Sequence, residues 1–325
     1  MGELYQNMQV FGWYALWNPD QMMLVVLLFG LYLLFMVGPL RPHIDGARAA
    51  KPQEIVAMAS ALLLFYIVQG SPFYLMSHMI FSLHMTHMAI LYLLIPPLLI
   101  IGIPAWVYTY VFRFRPLRRL LDALSYPLVA IFLFNGLFSL YHLPPVFDFL
   151  NTHRTYHTMY AVLMFTAGWV MWWPILNPLP DRAEMSHLRK VAYIFANGIL
   201  LTPACAFLFL SETTLYQTYY DHGLWSEMIG FCLPPGARSS VDLTALSIRQ
   251  FNLMDPLEDQ HLGGILMKIW QELIYAGFLV LVFVRWFGES RKKDREIEQM
   301  IYAQAQARLE QGASSQEKTI SWHRV

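Results

Sequence analysis

Apolar residues run through this chain in long blocks separated by shorter polar stretches. The blocks lie at 21–40, 52–69, 81–103, 125–142, 157–176, 191–210 and 263–287. A helix needs ~20 mostly apolar residues to cross ~30 Å of hydrocarbon, and each block reaches or nearly reaches that length. The second is short and runs into Gly70-Ser71-Pro72; the third contains Pro96-Pro97, which removes two backbone donors and predicts a kink or a break. The pattern predicts an all-α, polytopic membrane protein with seven transmembrane helices, a membrane domain over 1–288 followed by a charged tail over 289–325. The tail becomes Gln- and Ala-rich at 300–311, which predicts a frayed, solvated helix. Segment 211–262 is long, and its Pro234-Pro235-Gly236 and Ser239-Ser240 predict irregular structure.

Composition agrees with a membrane protein: 57% of the 325 residues are hydrophobic and 14% are charged, outside the usual range of soluble domains. The implied partner is the lipid bilayer. Net charge is zero, so no global electrostatic argument for nucleic acid exists. Lys and Arg collect after the first block (Arg41, Arg48, Lys51), the third (Arg113, Arg115, Arg118, Arg119) and the fifth (Arg182, Arg189, Lys190), and in the tail from Arg285. The opposite loops hold only Arg154, Arg238 and Arg249. This alternation predicts an amino terminus outside and a carboxyl terminus in the cytoplasm. The first ten residues carry no basic region of the kind that opens a removable signal peptide. Two cysteines, Cys205 and Cys232, are too few for a disulfide framework or a four-thiolate zinc site.

The histidines carry the candidate chemistry. Of the eleven, His43, His187 and His323 fall on the cytoplasmic side of this topology. His78, His84, His87, His142, His153, His157, His222 and His261 fall at or beyond the outer helix ends, where an apolar segment meets water. Residues three or four apart share a helix face, so His84 with His87, and His153 with His157, are spaced to hold one ion. Asp148 is a candidate ligand or a group orienting an imidazole. Imidazole alone suits copper, zinc or iron, and the thioethers of Met85 and Met88 tilt the set toward monovalent copper. The expected ligands are His84, His87, Asp148, His153, His157, His142 and His78, with Met85, Met88, Cys205, Asp259 and His261 as secondary candidates. Lys268 and Glu272, four apart in the seventh block, are a further intramembrane polar pair, either functional or a structural ion pair. No Ser/His/Asp pattern, phosphate loop or dinucleotide fingerprint names a reaction. The same histidines and carboxylates also suit an iron or zinc enzyme, a haem held between two imidazoles, or a metal-free scaffold.

Four blocks of residues, in order, resemble a known family. They are Phe81-Ser82-x-His84-Met85 with Pro96-Pro97-Leu98-Leu99 and Gly102-x-Pro104; Pro145-x-Phe147-Asp148 with His153, His157 and Trp172-Trp173-Pro174; Thr202-Pro203-Ala204-Cys205-Ala206; and Asp259-Gln260-x-Leu262-Gly263-Gly264-x-x-Met267-Lys268. Together they resemble the CtaG-like cytochrome c oxidase assembly factors of bacteria. The resemblance implies a multi-pass protein of the bacterial cytoplasmic membrane that helps mature a haem-copper oxidase. It further implies oxidase subunits as partners and copper delivered rather than a reaction catalysed.

Overall fold

Proline starts most of the long helices. Pro19, Pro52, Pro72, Pro127, Pro144 and Pro256 each occupy the first helical position, where a missing N–H costs nothing and the fixed φ suits the turn. Side chains complete several of these starts. Asn18 accepts from the Gln21 N–H, Ser71 from the Phe73 N–H, and the Glu54 carboxylate takes the Lys51 N–H at 2.8 Å.

The computed structural model describes residues 2–38, 40–41, 46–181, 184–233 and 241–322. His43, Arg182, Pro234-Pro235-Gly236, Arg238, Ser239-Ser240 and His323 lie outside them. Among the described residues there is no strand. The principal helices are α1 (Pro19–Met36), α2 (Pro52–Gly70), α3 (Pro72–Met79), α4 (Phe81–Gly102), α5 (Pro127–Tyr141), α6 (Pro144–Thr152), α7 (Arg154–Leu176), α8 (His187–Leu210), α9 (His222–Cys232) and α10 (Pro256–Trp322). Among the described residues, six helices are long and apolar enough to cross a membrane. A seventh span results if Arg115–Leu124 and α5, which meet at 73°, count as one broken crossing. The chain divides into two compact units, Met1–Ala276 and Gly277–Val325; the second is helical as far as Trp322.

The double proline of α4 is accommodated inside a continuous helix. Residues Ile90–Leu94 form a π-helical turn and the α-helix resumes at Ile95–Gly102. Such a widened turn is a known way to absorb an interruption of the hydrogen-bond ladder. The Tyr92 carbonyl would pair with residue 96 in an α-helix and with residue 97 in a π-turn, and both are proline. Opposite it stands Gly168 of α7, where a Cβ would lie 2.6 Å from the Tyr92 oxygen. The missing side chain lets α7 close on the carbonyl. Gly168→Ala is therefore expected to push these helices apart and cost about 1–3 kcal/mol, read as a lowered thermal unfolding midpoint of the detergent-purified protein.

Segment 211–262, predicted irregular, contains α9. Trp225, Met228 and Ile229 of α9 are buried in a cluster with Leu4, Met8, Phe11 and Leu16 from the amino-terminal segment, Leu75 and Met79 from α3, and Phe251. The cluster forms a cap over one end of the bundle. The helix ends beneath it, expected to meet water, are thereby shielded.

Candidate functional site

The starts of α4 and α7, the end of α5 and the short helix α3 meet beneath this cap. Five histidines come together there. His78 has its ring centre 6.4 Å from that of His84, 6.3 Å from His87 and 6.0 Å from His157; His84 stands 6.4 Å from His87 and 6.5 Å from His142. His78, His84, His87 and His142 are buried and His157 is half-buried.

Hydrogen bonding sorts these rings into two kinds. His78 Nδ1 lies 2.9 Å from the Tyr74 carbonyl and His142 Nδ1 lies 2.8 Å from the Phe138 carbonyl, each one turn back on its own chain. A carbonyl accepts only from N–H, so the proton is on Nδ1 and the lone pair on Nε2. Burial pushes the pKa of His78 below its ordinary value, and that of His142 down to about 4. Both rings are therefore neutral at physiological pH, the form that can ligate a cation. In contrast, both ring nitrogens of His84 and both of His87 are buried without a hydrogen-bond partner. The Val68 carbonyl faces His87 without reaching hydrogen-bonding geometry. A buried polar atom left unpaired costs about 1–3 kcal/mol, so four at one place call for a function.

Do these rings fit an ion? His78, His84 and His87 form a nearly equilateral triangle of ring centres. A point at its middle is roughly 3.7 Å from each, about half an ångström beyond the reach of an imidazole whose nitrogen sits ~2.0 Å from a metal. As placed, no three His, Cys, Asp or Glu among the described residues stand close enough to grip an ion. Gripping an ion there requires the three ring centres to move inward by about that half ångström. Met88 is buried and lines the same cavity of ≈ 400 Å³ as His78, His84, His87 and His157, adding a soft donor. Tyr141 stacks on His84 at 5.8 Å, and Tyr74 lies edge-on to His78 and His87 at 4.6 and 6.2 Å; neither tyrosine was singled out from the sequence. Tyr74 had a signal, being four residues before His78.

The other expected ligands are placed elsewhere, each for a visible reason. His153 is exposed, stacked on Phe149 at 4.3 Å with Nδ1 2.8 Å from the Phe149 carbonyl. It is the residue capping α7, with extended φ −127° and ψ 91°, so the helical spacing to His157 does not apply. The Asp148 carboxylate accepts from the Gln217 N–H, the Thr218 N–H and the Thr218 hydroxyl at 3.0–3.1 Å, tying α6 to the short turn Gln217–Tyr219 between α8 and α9. Asp259 accepts from the Phe81 and Ser82 N–H groups at 2.6 and 3.2 Å, which makes it a cap for α4. His261 Nε2 meets the Ser211 carbonyl at 2.8 Å, and His222 Nε2 meets that of Leu246 at 2.7 Å. Met85 packs against Gly263 and Cys205 against Gly264, both on α10. Lys268 and Glu272 form an ion pair of 2.7 Å, and the ammonium also donates to the Thr202 hydroxyl and the Gly198 carbonyl of α8. That is a structural clamp between α8 and α10.

An all-α, multi-pass membrane protein with buried histidines gathered at one end of its bundle is the class that fold and site define. The chain belongs to the cytochrome c oxidase caa3 assembly factor family, Caa3_CtaG, whose model matches residues 30–289. It is also similar to two uncharacterized proteins, Mb0105 of Mycobacterium bovis and MT0111 of Mycobacterium tuberculosis. Each is 22% identical over 261 residues, 74% of this chain and 35% of the relative. The chain thus spans about a third of the length of those relatives. No solved structure matches it.

Proposed function

We propose that this protein takes part in assembling a haem-copper cytochrome c oxidase by holding a copper ion as cargo at the capped histidine cluster and passing it to an oxidase subunit. The observation that carries this reading is the burial of four unpartnered imidazole nitrogens, on His84 and His87, beside His78, His142 and His157. Neutral imidazoles with the Met88 thioether nearby favour copper, monovalent copper above all. Family membership supplies the process, and copper is a metal that a haem-copper oxidase must acquire. The distribution of Lys and Arg supports an amino terminus outside the cytoplasmic membrane of a bacterium, which puts the cluster on the extracytoplasmic face. A cargo site must exchange its ion, and a cluster next to a surface-reaching cavity permits exchange without unfolding the cap.

The test is metal analysis of the detergent-purified protein after exposure to cuprous ion, beside a His84→Ala/His157→Ala variant. About one copper per chain in the wild type and a loss of at least tenfold in the variant is the expected result. Equal and negligible copper in both overturns the reading. Near-stoichiometric iron or zinc with little copper would point to a metalloenzyme instead, and a Soret band to a haem protein.

A further inference from the structure

The space beside the histidines has two lobes. The inner one, ≈ 400 Å³, is lined by His84, His87 and Met88. The outer one, ≈ 320 Å³, is lined by Asp20, Arg154, Met228 and Cys232. Both lobes share Gln21, Gln69, Tyr74, His78, His157 and Thr158, so anything moving between them passes His78 and His157. Asp20 and Arg154 of the outer lobe are exposed and charged, whereas the exposed residues lining the inner lobe are Thr158, Val162 and Thr166, so the outer lobe is the one with a charged mouth.

Cys232 is the last residue of α9 and Met228 lies four before it, one turn back on the same face; both line the outer lobe, and the Cys232 thiol donates to the Met228 carbonyl at 3.3 Å. Cys232 is half-buried and forms no disulfide. The Tyr74 hydroxyl lies against its thiol, while the Tyr74 ring stands 4.6 Å from His78 and 6.2 Å from His87. A single tyrosine therefore separates the thiol from the imidazoles. The thiol and thioether of the outer lobe and the imidazoles of the inner one are donors suited to a soft monovalent cation. The unpartnered nitrogens of His84 and His87 at the inner end independently point to a cationic occupant.

We propose that Cys232, with Met228 beside it, is the entry ligand for a monovalent copper ion, and that His78 and His157 carry the ion from it to His84 and His87. This rests on the cargo reading above. When the ion binds, a Cu–S bond forms and the thiol proton leaves to water. When the ion moves inward, that bond breaks, an imidazole lone pair replaces it and the sulfur regains a proton. Copper stays monovalent throughout, so no oxidant or reductant is needed. Cys205, buried in α8 against Gly264, is outside this path and serves as an internal control.

The experiment is anaerobic alkylation of the full-length protein in detergent by a maleimide, with and without one equivalent of cuprous ion, each cysteine followed by mass spectrometry. Cuprous ion is expected to slow labelling of Cys232 at least tenfold and to leave Cys205 unchanged. A Cys232→Ser variant should load copper several times more slowly yet reach the wild-type content. In a His84→Ala/His87→Ala variant, protection of Cys232 should persist while retained copper falls. Unchanged labelling of Cys232 in a wild-type protein that does load copper through His84 and His87 overturns the entry role and leaves the cargo reading standing. Protection of Cys232 without any copper retained through His84 and His87 does the reverse.

Discussion

Asp259→Ala is expected to destabilise the folded protein by about 2–5 kcal/mol, because it strips the acceptor from two buried backbone N–H groups, each costing about 1–3 kcal/mol when unpaired. Helix α4 begins at Phe81, and the preceding Ile80 has no side-chain oxygen with which to cap it. Asp259 performs that office from the first turn of α10, accepting from Phe81 and Ser82. Its charge thus sits at the amino-terminal ends of two helices at once, where the aligned peptide dipoles favour an anion. Gly263, one turn on, gives Phe81 room: a Cβ there would meet the Phe81 ring at 2.6 Å. The consequence reaches the site, since His84 lies one turn into the helix that Asp259 holds. Asp259→Asn separates capping from ligation. Its amide oxygen can still accept one N–H, so a cap recovers about half of the lost stability, and the folded fraction keeps its copper. Thermal unfolding of the three purified proteins, with metal content measured on each folded pool, reads both. Full stability in the alanine variant with copper lost would instead make Asp259 a ligand.

The membrane-spanning helices were legible in the sequence because hydrocarbon imposes a length and a polarity that no local context overrides. What the sequence concealed were contacts made across long separations. Asp148 meets Gln217 and Thr218 some seventy residues away, and Asp259 meets Phe81 across 178 positions. Nothing near either carboxylate in the chain distinguishes a cap from a ligand. His153 misled for a local reason: four-residue spacing implies a shared face only inside a helix, and this residue lies just before one. His84 and His87, well within α4, kept the expected face. Helix α9 was hidden by its surroundings, an assumed loop rich in Pro and Gly. Yet Trp225, Met228, Ile229 and Cys232 follow the 3, 4, 7 spacing of a buried helical stripe, and that spacing was there to read. The same stripe explains why histidines expected at the water boundary are buried instead.

His84→Leu/His87→Leu is expected to make the copper-free protein more stable and to abolish its use. Leucine is close to histidine in size and brings no polar atoms, so the exchange removes four unpaired nitrogens from a buried site at little packing cost. Removing a buried unsatisfied group while keeping the shape is neutral or stabilising, and the thermal midpoint without metal should therefore rise. The wild type, but not this variant, should then gain stability on adding cuprous ion, by about 2.7 kcal/mol when free ion is a hundredfold above the dissociation constant. In cells, the variant should accumulate normally while the oxidase it serves stays inactive. The two effects have opposite signs, which is what distinguishes a binding site from a structural cluster. A histidine that only packs or bonds within the fold would make the leucine variant weaker in the absence of metal, and such a loss, together with an unchanged response to cuprous ion, would remove copper from the account of this cluster altogether.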